Sequence, residues 1–246
     1  MFENFDIVEF LLTALAVIIT LTVHEFFHGY AAYKLGDNTA KNMGRLSLNP
    51  IHHIDPIGAV CLLFFHVGWA KPVPVNPRNF KNPKKGFAIT ALCGPLSNLI
   101  MAFLFSGVAL LLYKLSASLY DPYSDQLIFR FVSTAALFFS IFFSINIGLA
   151  IFNLLPVPPL DGSRLLAAVL PEKTYFAIMK YERKIYLVLL AWLILGDVVA
   201  TFIRTLFPAL GGLATVFSLS ELLGYAINFI GGLFIKFWQL IPALRF

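Results

Sequence analysis

Three side chains near the start of the chain have the types and the spacing of a metal site. The segment LTVHEFFHGY, residues 21–30, places His24, Glu25 and His28 inside a largely apolar run. Residues four apart lie on the same face of an α-helix, so the two imidazoles can bind one metal ion. In this H-E-x-x-H pattern the histidines bind zinc and the glutamate serves as general base. The pattern therefore predicts hydrolysis by a water molecule that zinc activates.

The helix that carries these residues is long enough to cross a bilayer. Residues 5–35 form one apolar stretch, and about 20 apolar residues span the hydrocarbon core of a membrane. Ionisable side chains within a span are energetically costly and therefore indicate a functional site. We expect the rest of the chain to supply a third ligand, water and an entrance for the substrate.

The composition also indicates an integral membrane protein. Of the 246 residues, 59% are hydrophobic and 13% are charged, whereas a soluble domain usually has about 25% charged residues. The formal net charge of +5 does not indicate a nucleic-acid partner, because the basic residues lie between the apolar runs, where they set the membrane topology. Cys61 and Cys93 are too few for a disulfide framework or a cysteine-based zinc site.

The apolar runs predict an all-α polytopic membrane protein with about five spans. The spans are expected near residues 5–35, 87–115, 129–153 and 185–206, and within residues 209–244. Residues 57–75 are expected to form a re-entrant or hairpin element, because their apolar run is too short to span. The prolines of residues 71–86 exclude a helix there, and KPVPV favours extended backbone. We divide the chain into a catalytic membrane core, residues 1–184, and a C-terminal transmembrane region, residues 185–246.

The third zinc ligand must come from another part of the chain, because a catalytic zinc usually takes three protein ligands and leaves one position for water. Asp161 is favoured, since it follows a proline-broken stretch at the cytoplasmic end of the third span. Irregular backbone at membrane depth is tolerated only where it is buried or lines a wet cavity. Asp197 lies in mid-span and is expected to pair with Arg204. The nitrogen alternatives are His52, His53 and His66.

Two asparagines are candidates for stabilising the oxyanion that forms during peptide hydrolysis. Asn98 in GPLSN and Asn153 in NLLPVPPLDG lie beside helix-disrupting prolines at membrane depth. Either amide could instead link helices by hydrogen bonds. Asp161 likewise has an alternative role, as the N-cap of the helix that follows it.

The order of these motifs resembles the site-2 protease family, the intramembrane zinc metalloproteases. The resemblance rests on HEFFH in the first span, GPLSN in the second and NLLPVPPLDG after the third, with LNPIHHIDPIG and KPVPV between them, as in small bacterial members without a PDZ domain. It covers residues 20 to about 170. It implies a three-helix catalytic core with one zinc ion on His24, His28 and Asp161, and Glu25 as the catalytic base.

The resemblance also implies how the protein acts. Asn98 and Asn153 are implied to bind substrate or the oxyanion. Family members cut transmembrane helices of other proteins, so the expected partners are a transmembrane-helix substrate and the lipid bilayer. The expected location is the bacterial cell membrane, with the site near the cytoplasmic side, because Lys34 and other basic residues follow the first span. The oligomeric state is not indicated.

Two other functions use the same His/Asp cluster. A membrane metal transporter would pass ions through it, but transporters of this kind commonly have repeated halves, and no internal repeat is present. A non-proteolytic adaptor would bind membrane helices without cutting them. Glu25 argues against an adaptor, because loss of the base is the simplest route to an inactive relative.

Overall fold

A computed structural model describes residues 6–65, 70–121 and 126–245 of the chain. Within these residues the α-helices are α1 (Ile7–Lys34), α2 (Thr39–Asn42), α3 (Pro56–Phe65), α4 (Pro83–Leu119), α5 (Leu127–Asn153), α6 (Asp161–Val169), α7 (Glu172–Met179), α8 (Glu182–Leu206), α9 (Gly211–Ala214) and α10 (Leu219–Trp238). Short 3-10 turns lie at Pro50–His52, Pro77–Asn79, Pro208–Leu210, Thr215–Phe217 and Pro242–Leu244.

Five of the described helices, α1, α4, α5, α8 and α10, are long and apolar enough to cross a membrane. The prediction of an all-α polytopic membrane protein is therefore confirmed. The helix boundaries differ from the expected ones by a few residues. The clearest correction is at α4, which begins at Pro83 inside a segment that was expected to exclude a helix. Proline is tolerated in the first turn, and the Asn82 side chain caps the helix by accepting from the backbone N–H of Lys85.

The helices α1, α4 and α5 form a central bundle in which each packs against the other two. Small residues lie at their contacts, including Ala16, Ala91, Ala102, Ala136 and Ala150, all of which are buried. In a membrane, small side chains let helix backbones approach closely, and dispersion and interhelical hydrogen bonds then hold the bundle. The three-helix bundle is the scaffold that positions the candidate site.

The C-terminal helix α10 packs against this bundle. Its apolar side chains cover a buried cluster formed by Ala102 of α4 with Ile147 and Ile151 of α5. Near its end, the indole of Trp238 donates a hydrogen bond of 2.8 Å to the carbonyl of Phe103. The expected last span is thus α10, with the short helices of residues 208–217 as its lead-in. The division of the chain at residue 184 stays a prediction.

The helix α8 is joined to the start of α10 by polar contacts. Arg204 forms a bidentate ion pair with Glu221, with both N–O distances at 2.6 Å. Asp197 accepts hydrogen bonds from the hydroxyls of Ser218 and Ser220 instead. The predicted pairing of Asp197 with Arg204 is therefore wrong, because the polar groups at the start of α10 offer both side chains nearer partners.

Candidate metal centre

The two histidines of the motif lie one helical turn apart on the buried face of α1. His24 is 5% exposed and His28 is 8% exposed. Their Nε2 atoms are 3.0 Å apart, so both imidazoles present a ring nitrogen to the same point. The spacing of four residues produces this arrangement directly, since such residues are neighbours on a helix surface.

Asp161 completes the group from the first position of α6. Its Oδ2 atom lies 3.1 Å from Nε2 of His24 and 3.1 Å from Nε2 of His28. The N-cap position of α6 belongs to Leu160, and no side chain caps that helix. The next residue, Gly162, lies so close to the end of α5 that a Cβ atom there would be 2.3 Å from the carbonyl oxygen of Leu154. Glycine therefore allows α6 to bring the carboxylate to the histidines.

The donor set fits a cation. Nδ1 of His28 lies 2.7 Å from the carbonyl oxygen of Thr90, which can only accept, so this nitrogen carries a proton and, in the neutral ring, Nε2 is the acceptor. Nδ1 of His24 likewise lies 2.7 Å from Oδ1 of Asn98. In the neutral rings, two imidazole lone pairs and a carboxylate oxygen thus face one another, an arrangement that a cation at this point would stabilise. Tetrahedral zinc with bonds of about 2.0–2.1 Å would separate its ligand atoms by roughly 3.3 Å, close to the observed distances.

Glu25 lies beside the histidines and is 8% exposed. Its Oε2 atom accepts a hydrogen bond of 2.8 Å from the backbone N–H of Val73. Val73 lies between Pro72 and Pro74, which have no N–H, so it is the one backbone donor at this point of the segment. The proline-rich stretch that was expected to be extended therefore contacts the predicted base directly.

The segment that holds Val73 is anchored at both ends. Ala70 forms an antiparallel bridge with Ile54. The re-entrant or hairpin element expected over residues 57–75 stays a prediction, because residues 66–69 lie outside the described residues. At the other end, the N–H of Asn76 donates to Oδ2 of Asp37 at 2.7 Å. Asp37, directly after α1, is fully buried and also accepts from Thr39 and Asn79. Asp37 was not among the predicted functional residues, because nothing in the sequence of a polar loop distinguishes a buried aspartate from an exposed one.

One cavity of about 300 Å³ contains the candidate ligands and Glu25. The helices α4, α5 and α8 contribute a largely apolar wall that includes Phe87, Phe152 and Leu189. Arg164 of α6 also lines the cavity, and its guanidinium lies 5.2 Å from the centre of the Phe87 ring. The cavity thus offers an apolar passage to a polar centre.

The two candidate asparagines occupy different positions. Asn153 lines the cavity, and its Nδ2 donates to the carbonyl of Leu149 at 3.1 Å. Asn98 is fully buried and contacts His24 rather than the cavity. Asn146 was not among the predicted residues. It does not line the cavity, and its Oδ1 accepts a hydrogen bond of 3.0 Å from Nδ2 of Asn98. Its polar side chain within an apolar run was the available signal.

The alternative third ligands lie elsewhere or outside the described residues. Among described His, Cys, Asp and Glu residues, only His24, His28 and Asp161 lie close enough together to hold a metal ion. His53 is buried and its Nε2 bonds to the carbonyl of Ser47 at 2.6 Å. His52 is exposed in the preceding 3-10 turn. His66 falls outside the described residues.

A buried site of two histidines and one carboxylate, with a glutamate beside it and membrane-spanning helices around it, defines a membrane-embedded metal-dependent hydrolase. Comparison with known proteins makes the class more specific. The model of peptidase family M50 matches residues 12–196. "Putative zinc metalloprotease YwhC" of Bacillus subtilis strain 168 is 44% identical over 157 residues, which cover 64% of this chain and 68% of that protein.

More distant relatives agree with this match. Rip2 of Mycolicibacterium smegmatis is 25% identical over 239 residues, which cover 94% of this chain and 82% of the relative. MJ0611 of Methanocaldococcus jannaschii is 29% identical over 167 residues, with coverages of 67% and 74%. No solved structure matches the chain significantly. The chain belongs to peptidase family M50, and it is a zinc metalloprotease of the site-2 type, as the resemblance of its motifs predicted.

Proposed function

We propose that this zinc-dependent intramembrane protease holds one zinc ion per chain on His24, His28 and Asp161 and hydrolyses peptide bonds in or near transmembrane segments of other proteins. The observation that supports the proposal most directly is the convergence of three acceptor atoms, 3.0–3.1 Å apart, at a buried point of the helix bundle. With both rings neutral, three acceptor atoms at these distances repel one another unless a cation lies between them, and zinc is the cation that this ligand set suits.

Each side chain has a role in the proposed reaction. Zinc, when bound, activates a water molecule and polarises the substrate carbonyl. Glu25 accepts the proton of that water and then delivers it to the leaving amine. The N–H of Val73 orients the Glu25 carboxylate for this transfer. Asn153, whose amide lines the cavity, is proposed to contact the oxyanion or the substrate backbone.

The position of the cavity supports a substrate that is itself a membrane helix. The cavity walls belong to candidate spans, and most of its lining is apolar. A helix satisfies its own backbone hydrogen bonds, so its peptide bonds are shielded until the helix is locally unwound. We propose that a substrate helix enters from the bilayer and unwinds beside Glu25. The basic residues that follow the first span, such as Lys34 and Lys71, support a cytoplasmic orientation of the site in a bacterial cell membrane.

Two measurements on purified protein test this function. Elemental analysis should find about one zinc per wild-type chain and much less in Asp161→Ala. A zinc content that is equal in both proteins would exclude Asp161 as a ligand. Wild-type protein in liposomes should cleave a reporter protein with one transmembrane helix, and chelation should stop the cleavage. Metal transport across the liposome membrane without cleavage would instead support the alternative that the protein is a membrane metal transporter.

A further inference from the structure

A chain of buried hydrogen bonds runs across the three helices of the central bundle and ends on a candidate zinc ligand. Nδ1 of His24 lies 2.7 Å from Oδ1 of Asn98. Nδ2 of Asn98 donates to Oδ1 of Asn146 at 3.0 Å. Nδ2 of Asn146 donates to the hydroxyl of Thr20 at 2.8 Å. Thr20, Asn98 and Asn146 are all fully buried, so the chain is sealed from water.

The direction of this chain is set by a backbone carbonyl. Nδ2 of Asn146 also donates to the carbonyl oxygen of Phe142 at 2.8 Å. A carbonyl can only accept, so the nitrogen of the Asn146 amide must face Phe142 and its oxygen must face Asn98. The Asn98 amide is then oriented with its oxygen towards His24. His24 must therefore carry a proton on Nδ1, so in the neutral ring the unprotonated nitrogen is Nε2, which faces Asp161.

We infer that Asn146 is a positioning residue of the metal centre, and that together with Thr20 it selects the tautomer and ring orientation of His24 through Asn98. The inference rests on the proposed function, because it requires His24 to bind the metal. Hydrogen-bond partners of metal-binding histidines fix the ring and its tautomer, and their loss typically weakens metal binding about 10–100-fold. Here the group that fixes His24 is the pair of amides from Asn98 of α4 and Asn146 of α5, and the hydroxyl of Thr20 in α1 bonds to the far end of this pair.

A purely structural role for the same contacts would have a different consequence. Interhelical amide bonds stabilise a membrane bundle wherever they occur, and their loss would lower stability without changing the metal site. Metal affinity and the absorption spectrum of bound cobalt therefore separate the two roles. Cobalt(II) is a suitable probe because its visible bands report the ligand geometry, which zinc cannot do.

The experiment compares Thr20→Val with Thr22→Val in the full-length protein. Both substitutions remove a buried hydroxyl from α1, but among the described residues the Thr22 hydroxyl bonds only to the Ile18 carbonyl of its own helix, at 2.7 Å. Asn146→Leu removes the central amide, and Thr20→Ser keeps the hydroxyl as the conservative variant. Cobalt titration, the cobalt spectrum and thermal unfolding are measured for each protein.

We expect Asn146→Leu to bind cobalt at least about tenfold more weakly than wild type and to shift its visible bands. Thr20→Val should weaken cobalt binding and shift the visible bands in the same direction, but by a smaller amount. Thr22→Val and Thr20→Ser should match wild type in both measurements. Wild-type cobalt affinity and spectrum in both Asn146→Leu and Thr20→Val would overturn the inference and leave the proposed function intact. A wild-type protein that binds no cobalt or zinc would overturn the proposed function itself.

Discussion

A Cβ atom at Gly94 would lie 2.4 Å from Nε2 of His28 and 2.8 Å from Cε1 of His24. The backbone of α4 therefore packs directly against the imidazole edges that face the candidate metal position. Pro95 follows in the same helix. A proline is tolerated within a membrane span because neighbouring helices and polar side chains satisfy the backbone groups that it leaves without a partner. The absence of a side chain at residue 94 is thus a requirement of the site.

The first prediction concerns this contact. Gly94→Ala should displace the rings of His24 and His28 and reduce bound zinc severely, because neither α4 nor the buried imidazoles can move away cheaply. Zinc per chain measured by elemental analysis checks it. Gly232→Ala in α10 is the control, since a Cβ atom there meets no described atom within 4 Å apart from the nearby backbone of its own helix. Full zinc content in Gly94→Ala would contradict the described packing.

The second prediction separates metal binding from proton transfer. Glu25→Gln should keep zinc near the wild-type content, since Glu25 is not among the three converging ligands. Cleavage should fall about 10²–10⁴-fold, the usual contribution of a general base. The glutamine oxygen can still accept the N–H of Val73, so the backbone contact is preserved. Cleavage at the wild-type rate in this variant would remove Glu25 from the mechanism.

The third prediction concerns the substrate. Helix-breaking Gly, Pro or Asn residues placed in the transmembrane segment of a reporter should increase its rate of cleavage, because they lower the cost of unwinding next to the site. Leu or Ala at the same positions provides the comparison. The rate constant for cleavage is measured in liposomes of one composition. Equal rates for all these reporters would indicate that unwinding does not limit the reaction.

The fourth prediction concerns the anchor of the Val73 segment. Asp37→Asn should destabilise the protein by about 1–3 kcal/mol, because an amide nitrogen would face buried donors that the carboxylate now satisfies. In the wild-type protein, Oδ1 of Asp37 accepts from the side-chain amide of Asn79 at 2.7 Å, and Oδ2 accepts from the backbone N–H of Asn76 at 2.7 Å. Thermal unfolding in detergent at neutral pH measures the loss.

The Asp37 carboxylate also makes the stability of the folded protein depend on pH. Burial alone would raise the pKa of Asp37, but hydrogen bonds from Thr39, Asn76 and Asn79 outweigh burial and hold the pKa below the ordinary value of 3.8. A lowered pKa in the folded state means that the stabilisation is present above the ordinary pKa and is lost as the pH falls through the folded value. The stability difference between wild type and Asp37→Asn should therefore narrow below about pH 4. A difference that stays constant down to pH 3 would contradict the role of the charge.

Much of the architecture could be predicted because it depends on local properties. The five spans follow from apolar runs whose length matches the bilayer, and only their ends were misplaced, as at Pro83. The predicted ion pair between Asp197 and Arg204 was wrong, because the sequence does not show which polar residues lie nearest to each side chain. Asp197 and Arg204 lie two helical turns apart, which suggested a pair, but each finds a partner at the start of α10.

The sequence by itself predicted His24, Glu25 and His28 as the centre of the candidate site, because the four-residue spacing places two imidazoles together on any helix. It also favoured Asp161, although this residue lies 137 positions from His24. Only the tertiary structure decided how Asp161 reaches the histidines, why residue 94 has no side chain, and that Asn146 orients Asn98. These features depend on contacts between separate helices, whose approach and rotation are set by packing across the whole bundle.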